Sequence, residues 1–488
     1  MTIVMKFGGT SVGSGERIAA AAKIITQYAQ ADPVVVTSAM SGVTNTLLEL
    51  AGSIAQNDSA ARDTILKHLI EKHRVAAQHI NAKDNWEHLE QILQNFEVFI
   101  RGLTPADAAE PKGIDSIASW GERLTVPLVA GAVAARGYAV APAVTPLIGT
   151  DETFGDATPD AEKTQRIATE ALQNAKKINA ILIAPGYIGV SPNNHITTLG
   201  RGGSDYAATL IAAALNANAC WIYTDVNGVF TADPRIAPQA RALPIITYGA
   251  AGRLAVSGAK VLHQRSVAPA ARTGMELRVL NSFEPEHPGT IITREAKKIK
   301  GLPLAVVGRE NVAIIRLVGS GVAETPKVFE RMIIALAKAS VAIEMTIAPI
   351  PRHDPEVVID MRQSSLAAEA LMKEFAIEYD SGLLDSVLVD NDVSLCIVVG
   401  SSLGSSAIRS ARKALESAYI NPINEAYASD AVTYLLRRKD MLPAILCLHQ
   451  QCILPAVNAR MPIGRPYKSG QWAAGGKAAR QRTLQSAH

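Results

Sequence analysis

The chain has 488 residues, enough for two to four domains of ordinary size. Its 48% hydrophobic and 19% charged residues suit a soluble globular protein with sizeable cores. Lys plus Arg (48) and Asp plus Glu (45) nearly balance at a net charge of +3, so nothing in the charge calls for nucleic acid or a membrane as partner.

The first residues, Met1 to Lys6, lack the charged start and apolar run of a signal peptide. No stretch approaches the roughly 20 apolar residues that span a bilayer, so a cytoplasmic protein is expected. From residue 1 to about 295, short β-rich runs alternate with longer helical ones, the pattern of an α/β domain. Val34–Ser38, Ala180–Ala184 and Trp221–Thr224 read as strands of a sheet buried on both faces. Glu16–Tyr28, Asp58–Phe99 and Asp205–Leu215 carry apolar residues at helical spacing.

Arg294–Gly301 is basic, polar and closed by glycine, as a domain edge would be. Beyond it a strand–turn–helix–strand rhythm occurs twice. Val312–Ser320 matches Val393–Ser401 without gaps at an offset of 81 residues, and Glu344 and Glu425 align at the same offset. Two small tandem α+β modules are expected, over 302–385 and 386–454. Residues 455–488 are rich in Pro, Gly, Gln and Ala with scattered Arg and Lys, a composition expected to form a disordered basic tail. Four scattered cysteines (Cys220, Cys396, Cys447, Cys452) form no metal-binding pattern; Cys220 and Cys396 lie in apolar runs and read as buried thiols of a reducing compartment.

Three constellations carry chemistry. In Met5–Gly13, Lys6 ends an apolar strand and runs into Gly8-Gly9 before a helix; glycines let a backbone approach a polyphosphate closely, although alone this is a common βα turn and not a P-loop. Thr198–Asp205 sets Arg201 among three glycines, where its guanidinium offers a planar fork to carboxylate or phosphate; Asp205 also suits a helix cap. Tyr223–Phe230, followed by Asp233-Pro234-Arg235, leaves a strand like a loop edging a nucleotide, with a plain Asn-Gly turn at its centre. Lys260 adds one more cation, weak without its neighbours.

These segments occur in one order with Ser38–Asn45, Ser119–Glu122 and Gly258–His263. Together they closely resemble the aspartokinases of the amino acid kinase family over residues 3 to 295, and the two modules resemble the ACT domains that aspartokinases carry. The resemblance implies a three-layer α/β sandwich on a mostly parallel sheet, followed by the two α+β modules. It implies MgATP-dependent phosphorylation of the L-aspartate side-chain carboxylate, the first step toward lysine, threonine and methionine. Lys6 would stabilise the transferring phosphoryl group, with the Gly8 and Gly9 amides as further donors. Asp205 would hold the lysines, and Lys260, Thr224, Asp225, Phe230 and Arg235 would line the ATP site. Arg201 would take the substrate α-carboxylate and Glu122 its α-ammonium, with Ser38, Thr44, Ser204 and Tyr187 completing the pocket. No protein-borne metal set is implied; Mg²⁺ comes with ATP.

The chain departs from the family where Met345–Pro355 holds three prolines, which disfavour a central strand and put the effector pocket in doubt. A lysine or threonine effector and a homo-oligomer joined through the modules are implied, and no second catalytic domain is expected. Rival readings are a kinase of glutamate, acetylglutamate or carbamate, a non-catalytic amino-acid sensor, and a nucleic-acid-binding regulator.

Overall fold

The computed structural model describes residues 2–80, 86–143, 145–259, 262–294, 301–322, 325–347 and 355–460. The β-branched runs near the N-terminus form β1 (Ile3–Phe7) and β2 (Pro33–Thr37), every residue of which is buried. Short strands follow: β3 (Val140–Pro142), β4 (Gly149–Thr150), β5 (Pro159–Asp160), β6 (Ile181–Pro185), β7 (Ile188–Val190) and β8 (Ile196–Thr198). Next come β9 (Ala219–Thr224), β10 (Ile245–Thr247), β11 (Glu276–Asn281) and β12 (Thr290–Thr293). Eight of these make a sheet of order β10-β12-β11-β9-β1-β2-β6-β3, parallel throughout except where β11 meets β12. A smaller sheet, β5-β4-β7-β8, stands beside it.

The alternation of a strand decides what each face receives. Ile3, Met5 and Phe7 point into a core with the helices Gly15–Gln27, Val43–Ala55 and Trp120–Ala134. Val4 points the other way, into a core with the helix Gly203–Ala214. Lys6 is in phase with Val4 and therefore faces that same helix. The helical stretch expected over 58–99 is two helices, Ser59–His79 and Trp86–Gly102.

In the first of these, His73 is fully buried with Nδ1 2.7 Å from the carbonyl of Leu69. Burial pushes its pKa down to about 4, helped by Lys72. A histidine depressed when folded leaves the unfolded chain to take up the proton first, near pH 6.5, so stability falls as pH drops from there toward 4. Between pH 7 and pH 5 the wild type is expected to lose about 2 kcal/mol more than a His73→Leu variant, measured by urea unfolding at both pH values. Equal losses would mean that His73 is not held neutral.

The remaining strands are β13 (Pro303–Val318), β14 (Ile343–Ile347), β15 (Glu356–Asp360), β16 (Ser386–Gly400), β17 (Asn424–Ala428) and β18 (Ala431–Arg437). They form one antiparallel sheet of order β14-β15-β13-β16-β18-β17. At the offset of 81 residues, β14 and β17 coincide. Yet β13 and β16 are long and shared: the first half of β13 pairs with the half of β16 that carries β18, and its second half pairs with β15. The two repeats thus interleave in space. The edge position of β14 suits a strand leading into prolines; residues 348–354 lie outside those described.

The core on the Lys6 side of the large sheet continues from Val4 and Ile222 through Leu304 and Val306 to Leu435 and Ile445. Val306 N–H donates to the carbonyl of Thr231 at 2.9 Å, and Thr231 Oγ1 lies 2.8 Å from His449 Nε2. The helical run Arg438–Ala459 is long and apolar enough to cross a membrane by length and composition, against the expectation that no such stretch exists. It packs on β13 and β16 with Met441, Ala444, Ile445, Leu448 and Ile453 buried, as a core helix does. The expectation of a tail from 455 is corrected at its start, because Leu454–Arg460 is helical and Val457 continues the apolar stripe. Residues 461–488 lie outside those described.

Candidate active site

Parallel pairing brings the C-terminal ends of β1, β2, β6 and β9 to one edge of the large sheet, where ligands of such sheets bind. Lys6 sits at that edge, 7% exposed, with Nζ 2.5 Å from Asp205 Oδ1. Asp205 lies in the first turn of Gly203–Ala214, so its carboxylate also favours that helix end. A Cβ on Gly8 would stand 3.3 Å from Lys6 Nζ, so the lysine lies over the glycine turn.

The Gly8 amide, however, donates to the carbonyl of Tyr223 at 3.0 Å and is not free for a phosphate. That corrects its expected role: the hydrogen bond closes the turn onto β9. Among the described residues no backbone carbonyl takes the N–H of Gly9, whose own carbonyl accepts from Ser41 N–H at 3.1 Å.

Glu122, in the first turn of Trp120–Ala134, is 2% exposed. Its Oε1 accepts from Ser204 Oγ at 3.3 Å, while Oε2 is buried without a hydrogen-bond partner among the described residues. Burial pushes its pKa up to about 8, against the hydrogen bonds from the backbone of Ala39 and from Ser204 and the charge of Lys6. A buried carboxylate oxygen with no donor is costly unless something cationic arrives. Ser38 is 9% exposed at the end of β2, its N–H on the carbonyl of Phe7, and Thr44 is half-buried in the first turn of Val43–Ala55.

The loop after β8 carries Arg201, which is exposed. Gly202, with φ +73°, caps the next helix so tightly that a Cβ would meet the His263 ring at 2.4 Å. The Tyr187 ring packs on Gly203, where a Cβ would be 2.7 Å from Cδ2, and Tyr187 itself holds a left-handed φ of +62°. A non-glycine residue rarely adopts that conformation, and it turns the ring toward the pocket wall.

The residues expected at the nucleotide are less drawn together. Thr224 Oγ1 donates to Asp225 Oδ1 at 3.1 Å, and Asp225 is exposed at the sheet edge. Phe230 is half-buried in a bridge to Ala242. Arg235 is bound to Asp233 at 2.5 Å. Lys260 lies outside the described residues. Two residues missed by sequence reasoning support the pocket: Lys72 Nζ donates to the Ser41 carbonyl at 2.6 Å, and Asp115 grips the strand leading to Arg201. No local pattern marks Lys72; Asp115 stands seven residues before Glu122, two helical turns away.

A sequence model of the amino acid kinase family matches residues 1–281, more than half of the chain. The chain is 30% identical to an aspartate kinase of Pseudomonas fluorescens over 454 residues, covering 92% of this chain and 96% of that one. The chain belongs to the aspartokinases of the amino acid kinase family. It is 28% identical to a bifunctional aspartokinase/homoserine dehydrogenase of Arabidopsis thaliana, covering 96% of this chain, and spans 52% of that relative's length. Among solved structures it is similar to E. coli aspartokinase III in complex with aspartate and ADP, with a TM-score of 0.76 and 26% identity over 92% of this chain and 99% of that one. The aspartokinase fold thus agrees with the α/β sandwich and added antiparallel sheet described above.

Proposed function

We propose that this chain is an aspartate kinase that transfers the γ-phosphoryl group of ATP to the side-chain carboxylate of L-aspartate. The observation that carries this reading is the unpartnered Oε2 of buried Glu122 beside the Lys6–Asp205 pair. That arrangement sets an anionic acceptor for an ammonium close to a cation for a phosphoryl group.

The chemistry asks little more. An aspartate side chain with a pKa near 3.9 is ionised at neutral pH and needs no general base. Its carboxylate oxygen attacks the γ-phosphorus, the bond to the bridging oxygen breaks, and ADP leaves with the electron pair; 4-phospho-L-aspartate forms. Lys6 neutralises charge on the moving phosphoryl group and Asp205 holds its Nζ in place. Glu122 takes the substrate α-ammonium and Arg201 its α-carboxylate. Ser38, Thr44, Ser204 and Tyr187 bound the pocket, and Thr224, Asp225 and Phe230 line the nucleotide side; Lys260, outside the described residues, is assigned to the ATP phosphates by its motif alone. Arg235 joins them only by leaving Asp233. Bound with ATP, Mg²⁺ would supply charge screening on the phosphates; among the described residues no group of three or more carboxylate, His or Cys side chains is placed to hold it.

The antiparallel sheet is the regulatory part, taking an amino acid such as lysine or threonine and joining subunits through its edges. The enzyme serves amino-acid biosynthesis in the cytoplasm, a placement supported by its four unpaired cysteines. Trapping the acyl phosphate with hydroxylamine tests the assignment. Hydroxamate is expected with L-aspartate, MgATP and purified protein. Hydroxamate with glutamate or acetylglutamate but not aspartate would overturn it, and so would binding without turnover on any acceptor.

A further inference from the structure

Asp115 belongs to the helix Pro111–Ala118 and is 2% exposed. Its carboxylate accepts three hydrogen bonds: from Gly155 N–H at 2.9 Å, from Thr198 N–H at 2.8 Å and from Thr198 Oγ1 at 2.8 Å. Burial raises its pKa and these bonds oppose the rise. A buried carboxylate that satisfies three donors is often only a structural tie. Here what it ties is particular.

Thr198 is the last residue of β8, and Leu199, Gly200 and Arg201 follow at once. Leu199 N–H donates to the Tyr187 carbonyl at 2.9 Å, fixing the loop to the pocket wall. Gly155, the second residue gripped, precedes Asp156, which pairs bidentately with Arg265, and Arg265 reaches back to the Leu199 carbonyl at 3.4 Å. Asp115 therefore acts on the Arg201 loop by two routes. The loop also opens the helix that presents Ser204 to Glu122 and Asp205 to Lys6. Glu122 itself stands two helical turns beyond Asp115, separated only by the Ser119 junction.

We infer that Asp115 is a positioning residue that fixes the distance between Glu122 and Arg201, and so makes the pocket selective for an acceptor carrying both an α-ammonium and an α-carboxylate. This rests on the proposed reading of Arg201 as the carboxylate reader. Two consecutive helices joined at Ser119 set both readers, Glu122 directly and Arg201 through Asp115 and Thr198. Displacements of the order of 1 Å in such a frame cost about a hundredfold in catalysis.

The test compares L-aspartate with its α-amide, in which the α-carboxylate is neutralised and all else is kept. In Asp115→Ala the N–H groups of Gly155 and Thr198, which share Oδ2, and the Thr198 hydroxyl on Oδ1 all lose their acceptor, and the loop is released. The KM for L-aspartate is expected to rise about thirtyfold, and the preference for aspartate over the α-amide to fall about tenfold. The KM for ATP stays within about twofold, which a merely structural role would not guarantee. Arg201→Ala is the control. If it leaves the preference unchanged, the reading of Arg201 itself is wrong. If it collapses the preference while a folded Asp115→Ala retains it, the inference about Asp115 is overturned. Should Asp115→Ala fail to fold, Thr198→Val removes one of the three bonds and decides: a fall of about threefold in preference supports the inference, and none overturns it.

Discussion

Replacing Lys6 by alanine is expected to lower turnover by about two to three orders of magnitude while ATP affinity changes only a few-fold. Lys6 Nζ is held 2.5 Å from Asp205 at a nearly dry sheet edge, with side-chain exposures of 9% and 17%. A fixed cation at such a site needs no reorganisation when charge builds on the transferring phosphoryl group, so its contribution falls on kcat. The alanine variant also strands the Asp205 carboxylate, and breaking a buried pair is itself destabilising by several kcal/mol. The double variant Lys6→Ala/Asp205→Asn separates the effects. Turnover that stays low in the double variant, with thermal stability restored, assigns the loss to the missing cation. Turnover that recovers would show that the orphaned carboxylate was the cause and would remove Lys6 from the chemistry.

Glu122→Gln is expected to raise the KM for L-aspartate about a hundredfold with a much smaller change in kcat, because a buried charge partner of the ammonium is lost. The pH dependence follows from the same carboxylate. Burial raises its pKa to about 8, so at pH 7 the empty site holds it mostly protonated. An arriving ammonium favours the ionised form, so binding releases a proton. The aspartate KM is then expected to fall by about tenfold per pH unit between pH 6 and 8 and to level off above. Initial rates across that range in wild type and Glu122→Gln check this; the variant gives a flat profile. Succinate, which lacks the ammonium, should gain on aspartate in the variant. A wild-type KM independent of pH would mean that Glu122 does not meet the ammonium.

Lys72 and Asp115 show why part of the pocket is invisible in the chain. Each makes its point through a contact far away in sequence, Lys72 with the Ser41 carbonyl and Asp115 with Thr198 and Gly155. A lone lysine on one helix and a lone aspartate on another have no local signature. Gly8 shows the opposite error. Its motif reads as an anion cradle, but the pairing of β1 with β9 brings the Tyr223 carbonyl onto its amide. Arg235 is held by an exposed ion pair with Asp233 two residues away, a contact that its motif does not announce.

Local patterns in the sequence were enough for the strands at Val34, Ile181 and Trp221, the helices after Ser14 and Gly202, and the glycine turns, because apolar spacing and turn residues act over a few positions. They were also enough to place Lys6, Arg201 and Asp205 near the ends of elements, whereas Glu122 was marked only by the family motif Ser119–Glu122. Only the tertiary structure decided which of these meet. Parallel register carries the ends of β1, β2, β6 and β9 to one edge, and strand alternation turns Lys6 toward Asp205 rather than toward the opposite core. Burial, which depends on every layer at once, raises the Glu122 pKa. The interleaving of β13 with β16 is of the same kind, since hydrogen bonding between strands 81 residues apart is a property of the sheet and not of either strand.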